Sequence, residues 1–313
     1  MNRVFCVFIL CCASLFSQDM VPAERFEEVK AGFKLRWVDL GGKTRNFSLW
    51  SSDLKEDQIK ERFDMLVKER FSVYFVNSKE VEKGAFGTWK PVYKMAENWE
   101  EWHSRYPYPI AFHYSLASPT YNANIVLVGE HRFLAMEAPC DKNLTDFFDL
   151  LDLYAVTDLV RLAPTVYKGR EESFPYWEGR ISIHPESRDL VLKIKEKEIA
   201  YFPIDTWEDH EGFDSKRLIA LVKAVRASAD PGTTIGVHCR AGVGRTATFI
   251  AAYVLANDID QQISAGVSPD QIKVSIDEVV WKMCLQRPFM VTHFPQYLTL
   301  YQFVESYIAT LQV

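Results

Sequence analysis

A cysteine and an arginine stand six positions apart in Val237-His238-Cys239-Arg240-Ala241-Gly242-Val243-Gly244-Arg245-Thr246, with two glycines between them. A short apolar run, Thr234 to Val237, precedes them, and a longer one, Ala247 to Leu255, follows. The pattern reads as strand, tight loop and helix. A loop of this kind can turn its backbone N–H groups onto an anion at the helix N-terminus, where the dipole also favours negative charge. The same field favours the thiolate of a cysteine placed in it. Arg245, in the first helical turn, can fork onto two phosphate oxygens. Taken singly, a cysteine is usually a small core residue and a Gly-x-Gly a turn. In this order they describe a thiolate nucleophile, Cys239, aimed at a phosphoryl group bound by Arg240, Ala241, Gly242, Val243, Gly244 and Arg245.

The stretch His238 to Thr246 resembles the His-Cys-x5-Arg-Ser/Thr signature of the cysteine-dependent protein tyrosine phosphatases. The form with Arg240 beside the cysteine is similar to that of bacterial effector phosphatases delivered into host cells. The resemblance implies an α/β fold, a central twisted mixed sheet flanked by helices. It also implies hydrolysis of phosphotyrosine through a phosphocysteine intermediate, without metal or cofactor. The substrate is then a phosphotyrosyl protein, here one of a host cell. In the same way it implies that Thr246 stabilises the thiolate as leaving group. The place of His238 before Cys239 implies a structural hydrogen bond that holds the loop.

A phosphate ester also needs a proton for its leaving group, and a carboxylic acid can supply it. The family carries this acid in a Trp-Pro-Asp loop, which Thr206-Trp207-Glu208-Asp209-His210-Glu211-Gly212 resembles. Between it and the cysteine lie Leu218, Leu221, Val222 and Val225 at helical spacing, then the turn signal Asp230-Pro231-Gly232. Helix and strand fold back on each other, which returns Asp209 to the loop mouth. Asp209 is favoured over Asp205 because it follows Trp207, the expected hinge anchor. Glu208 stands where the family has proline. Proline fixes φ and removes a donor, so its absence is expected to alter how the loop closes.

Gln286-Arg287-Pro288-Phe289-Met290-Val291-Thr292-His293-Phe294-Pro295-Gln296-Tyr297 resembles the family's glutamine-bearing loop. Gln296 matches its second glutamine, and Thr292 replaces the first, which in the family positions the hydrolytic water. Gln296 is expected to take over that role. Weaker matches lie upstream at Tyr121 to Ile125, Phe133 to Pro139 and Tyr176-Trp177. Ser104-Arg105-Tyr106 stands where the family carries the tyrosine that packs on the substrate ring, which assigns that contact to Tyr106. The glutamate that braces the signature arginine falls near Tyr167 or Glu171, with no single residue assigned.

The resemblance covers about residues 101–313. Residues 25–100 form a mixed segment of uncertain role, with a helix expected over Leu54 to Arg70, capped by Ser52-Asp53, and a strand over Phe71 to Val76. Residues 1–17 are weakly basic and then apolar from Val4 to Phe16. They read as a signal peptide, too short an apolar stretch for a stable membrane span, and imply export; a lipid anchor at Cys11 or Cys12 fits less well. Without this segment three of the six cysteines remain, Cys140, Cys239 and Cys284, an odd number that implies no disulfide framework. The formal charge of −6 argues against nucleic acid as a partner, and the seven histidines show no metal-ligand spacing. Two other readings use the same residues. One is an inositol-polyphosphate phosphatase, to which Arg240 gives a hint. The other is a non-catalytic phosphotyrosine-binding module, which would have no use for an acid at Asp209.

Overall fold

A computed structural model describes residues 22–39, 46–75, 81–83, 89–91, 104–105, 115–118, 120–185 and 189–312. Two N-terminal helices come first, α1 (Pro22–Asp39) and α2 (Glu56–Phe75). A small hairpin of β1 (Val81–Lys83) and β2 (Trp89–Pro91) follows. Then come β3 (Ala123–Val128), β4 (His131–Met136), α3 (Leu144–Leu153) and β5 (Val156–Arg161). A second hairpin, β6 (Val166–Tyr167) and β7 (Arg170–Glu171), leads to β8 (Ile181–Ile183), β9 (Leu190–Ile194) and β10 (Lys197–Pro203). The last part runs α4 (Ser215–Ser228), β11 (Thr234–His238), α5 (Arg245–Ser264), α6 (Ile276–Cys284) and α7 (Phe294–Ala309).

The main sheet has seven strands in the order β3-β4-β11-β5-β10-β9-β8. Its middle, β4-β11-β5-β10, is parallel, and the outer pairings are antiparallel. Both faces of its middle are covered, so the central strands are apolar on both sides. In β4, Phe133 and Ala135 enter one core while Leu134 and Met136 enter the other, the period of two that a pleated strand imposes. The larger core is built by α2, α4, α5, α6 and α7, the smaller by α1 and α3. Helix α5 is buried almost all round, from Arg245 to Ala256 without a break, because it sits between the sheet and the other helices. Gly236 in β11 faces Leu159 and Val156, where an added Cβ would come within 3.0 and 3.1 Å. Glycine there lets the neighbouring side chains close over the strand that carries the cysteine.

Residues 71–75 correct one expectation. The alternation there predicted a strand, but α2 continues through to Phe75. A short apolar run cannot separate strand from buried helix by periodicity, and an established helix extends at little cost. The helix also starts later than its expected cap. The Asp53 N–H donates to Ser51 Oγ at 3.3 Å in a local turn, and Gln58 Oε1 accepts the Lys55 N–H at 2.9 Å just before Glu56. Tyr106 and residues 1–17 lie outside the described residues. No described helix is long and apolar enough to cross a membrane.

Candidate active site

The loop between β11 and α5 is held by its carbonyl groups. The Arg240 carbonyl accepts the Ala138 N–H at 3.1 Å, and the Val243 carbonyl accepts the Val291 N–H at 3.0 Å. The Arg287 guanidinium, fully buried, donates Nε to the Gly242 carbonyl at 2.8 Å and Nη2 to the Ala241 carbonyl at 2.9 Å. Its Nη1 reaches Asn124 Oδ1. The Gly244 carbonyl is taken by the Thr248 N–H at 3.0 Å and Oγ1 at 3.1 Å. In a planar trans peptide the N–H points opposite to the carbonyl, so carbonyls pinned outward turn the amides inward. The result is a nest of N–H groups around Cys239, itself 2% exposed. Gly242 is required at the bend. It has φ +69, and a Cβ there would sit 2.1 Å from the Met136 carbonyl oxygen.

His238 lies beneath this loop. Its Nε2 is 2.7 Å from the Tyr176 hydroxyl, and its ring meets Phe147 edge-on. Burial, then the charge of Arg161, lowers its pKa to about 3. It is therefore a neutral imidazole at ordinary pH. Thr246 is fully buried in the first turn of α5, and its Oγ1 has no hydrogen-bond partner among the described residues.

Arg245 projects from the same turn and is fully buried. Its Nη2 donates to Glu172 Oε2 at 2.7 Å and to Asp209 Oδ1 at 3.0 Å, and its Nη1 donates to the Trp207 carbonyl at 3.0 Å. Burial pulls the guanidinium pKa down, but Cys239, Asp209 and Glu172 more than offset it, so the pKa stands above the ordinary value. The charge is permanent and the fork is fixed. Glu172, 0% exposed, is the bracing carboxylate that the sequence left unassigned near Tyr167 or Glu171. Its Oε1 also takes Arg170 Nη2 at 2.7 Å and lies 3.3 Å from Arg240 Nε. Arg240 thus sits on the loop wall beside the carboxylate that also holds Arg245 and Arg170. The missed signal is the charge pattern Arg170-Glu171-Glu172 directly after a Lys168-Gly169 turn.

The acid loop follows β10. Trp207, 1% exposed, stacks on Phe213 with ring centroids 4.4 Å apart and donates Nε1 to the Glu211 carbonyl at 3.0 Å. This anchors the loop at its base, and Asp209 is carried over Arg245. Arg170 Nη2 contacts Asp209 Oδ2 at 3.0 Å. His210 Nε2 lies 3.4 Å from the same oxygen and its ring stacks on His293, centroids 4.0 Å apart. Burial, then the neighbouring His210, lowers the pKa of His293. Asp205 points elsewhere and pairs with Arg161. One step before the acid, Glu208 Oε2 accepts the Tyr167 hydroxyl at 2.7 Å.

Gln296 closes the far wall. It is 1% exposed, its Oε1 accepts the His293 N–H at 3.4 Å, and its amide lies against Gly244. A Cβ at Gly244 would come within 2.7 Å of Gln296 Nε2, so that glycine makes room for the amide. Gln296 Nε2 and Arg245 Nε are buried donors with no hydrogen-bond partner among the described residues. Both belong to the two segments that bound the nest. Cys239, Arg245, Asp209, Thr246 and Gln296 are thereby brought to one place, with Arg240 to Gly244 as its floor. Among the described residues no group of His, Cys, Asp and Glu could hold a metal ion.

The family model described as protein-tyrosine phosphatase matches residues 114–306. The human receptor-type tyrosine-protein phosphatase eta is 27% identical over 302 residues, which is 81% of this chain and 22% of that protein. Its counterpart from Mus musculus is 29% identical over 196 residues, 55% of this chain and 15% of that protein. The mouse tyrosine-protein phosphatase non-receptor type 7 is 27% identical over 203 residues, 58% of this chain and 54% of that protein. The chain therefore spans only a minor part of the length of the receptor-type relatives. Among solved structures, PTPN18 in complex with HER2-pY1196 phosphor-peptides matches with a TM-score of 0.61 and 19% identity, over 80% of this chain and 93% of that one. At that identity the likeness speaks for the fold alone.

Proposed function

The chain belongs to the protein tyrosine phosphatase family, and on that premise we propose that it hydrolyses phosphotyrosine in two steps through Cys239. The observation that carries this reading is the joint placement of Asp209 and Glu172 on the Arg245 guanidinium, at 3.0 and 2.7 Å, above the nest that surrounds Cys239. In the first step the Cys239 thiolate forms a bond to phosphorus as the bond to the phenolic oxygen breaks. Asp209 gives its proton to that oxygen. The inward amides and Arg245 hold the non-bridging phosphate oxygens, which supplies the charge stabilisation. In the second step water attacks phosphorus, the sulfur–phosphorus bond breaks to restore the thiolate, and Asp209 takes the proton from water. Gln296 Nε2, a buried donor beside Gly244, orients that water, and Thr246 Oγ1 steadies the returning thiolate. Tyr106 is assigned to stacking on the substrate ring from the sequence resemblance.

The presence of an acid over Arg245 favours an enzyme over a binding module. Turnover of an aryl phosphate by the wild type and by Cys239→Ser tests the mechanism: the variant should be inactive, and activity that survives in it overturns the reading. Phosphotyrosyl peptides should be hydrolysed in preference to inositol polyphosphates. The basic and apolar residues 1–17 extend the proposal to an exported enzyme acting on phosphotyrosyl proteins of a host cell. An intact N-terminus on the protein recovered outside the producing cell, read by mass, would contradict cleavage there.

A further inference from the structure

We propose that the tip of the β6–β7 hairpin is a clasp for the acid loop, with the Tyr167 hydroxyl as its positioning group and Glu208 as its catch. The inference rests on the phosphatase reading of Asp209. The hairpin turns through Lys168 and Gly169, both at positive φ (+50 and +74), the backbone that a two-residue turn with the twist of its strands demands. Tyr167 and Arg170 are therefore a directly opposed cross-strand pair, and their side chains leave the hairpin on the same face. Both reach the acid loop at consecutive residues. Tyr167 Oη donates to Glu208 Oε2 at 2.7 Å, and Arg170 Nη2 donates to Asp209 Oδ2 at 3.0 Å.

The hairpin is itself fixed to the wall of the phosphate-binding loop. Arg105 Nη2 contacts Glu171 Oε1 at 3.0 Å and its Nη1 meets the Glu171 carbonyl at 3.2 Å, while Glu172, next in the chain, braces Arg245. Lys168 Nζ stands 4.8 Å from the Tyr167 ring centroid. A rigid hairpin thus offers one neutral donor and one cation to two adjacent carboxylates on a segment that opens and closes.

Glu208 occupies the position where proline would stiffen the loop. Without proline the loop gains a free φ and has more open conformations to populate. A carboxylate at that position can instead be caught from outside. Loop closure is then set by a polar contact at the surface rather than by a ring in the backbone. A hydrogen bond of this kind shifts the ratio of closed to open loop by about three- to tenfold. In the first step, which kcat/KM reports, closure matters for the proton that Asp209 delivers. Loss of the clasp should therefore hurt most where the leaving group is a poor one.

The test measures kcat/KM on aryl phosphates of rising leaving-group pKa, for the full chain and for Tyr167→Phe, Glu208→Gln, Glu208→Ala and the Tyr167→Phe/Glu208→Ala double variant. Tyr167→Phe should lower kcat/KM about three- to tenfold for the most basic leaving groups and leave the most acidic ones nearly unchanged. Glu208→Gln keeps an acceptor and should stay near the wild type. Glu208→Ala should match Tyr167→Phe, and the double variant should lose no more than either alone. Hydrogen exchange of the amides of residues 206–211 should quicken by a similar factor in Tyr167→Phe, with those of α5 unchanged. Losses equal across the leaving groups, losses that add in the double variant, or unchanged exchange would each overturn the clasp. A wild type without turnover would overturn the phosphatase reading instead, and the exchange measurement would still decide the clasp.

Discussion

The phosphate-binding loop and the acid loop meet at Arg245 but are held in opposite ways. The former, from Cys239 to Gly244, is tied through its carbonyls to the buried side chain of Arg287 and the backbone of Ala138 and Val291. The latter has one buried side-chain anchor, Trp207, and two bonds from Arg245, to the Trp207 carbonyl and to Asp209; its other contacts to the acid and its neighbours lie nearer the surface, from Arg170, Tyr167 and His210. One loop is part of the core and the other is laid over it. On the proposed mechanism the geometry of attack on phosphorus is built into the fold, whereas protonation of the leaving group depends on contacts that can be made and broken in each cycle. If this contrast is right, damage to the first loop should cost stability and activity together, and damage to the second should cost activity alone.

Arg287→Met offers the strongest test. It strips partners from two loop carbonyls and from Asn124, and should destabilise the chain by roughly 3–5 kcal/mol in urea denaturation, with turnover lost. Asp209→Ala should do the reverse. Its kcat should fall by roughly 10²–10⁴ while the denaturation midpoint barely moves. A midpoint that drops with it would erase the distinction between the two loops. Gly242→Ala forces a Cβ against the Met136 carbonyl at positive φ, and should cost roughly 2–5 kcal/mol.

A pH titration probes the same contrast from below. His238, pKa about 3 in the fold against an ordinary value of 6.5, binds its proton more readily in the unfolded chain. Its contribution is complete above about pH 6.5 and is lost as pH falls toward 3, at about 1.4 kcal/mol per pH unit. The fall in the urea midpoint between pH 7 and pH 4.5 should be shallower in His238→Gln. Smallest is Asp205→Asn. Asp205, largely exposed, is paired with buried Arg161 rather than with Arg245, so kcat should stay within about twofold. A loss comparable to that of Asp209→Ala would move the acid to Asp205.

The same contrast governs how much could be read from the chain. The cradle from His238 to Thr246 is contiguous, so its spacing alone discloses strand, loop and helix, and Gln296 is reached by the pattern that follows Arg287-Pro288. Parts that arrive from elsewhere were harder. Glu172 braces Arg245 across 73 residues of sequence, from a hairpin whose two-residue turn decides which carboxylate faces inward. Between Glu171 and Glu172 the choice is one of side-chain direction, and no local pattern carries that. Arg287 was visible only as part of a resemblance; its grip on the loop carbonyls depends on where α6 ends. The helix through Phe75 overrode a six-residue alternation, because continuation of α2 outweighs a pattern that short.

The position of β11 has a consequence for how the chain is made. Thr234 pairs with Arg132 on one side and Val156 on the other, so the strand bearing Cys239 finds its place only between segments made long before it. Contacts that span so much sequence are slow to close. The fork of Arg245, the brace of Glu172 and the ties from Arg287 assemble with that closure or after it. The proposed nucleophile Cys239 thus gains its surroundings only in the act of folding.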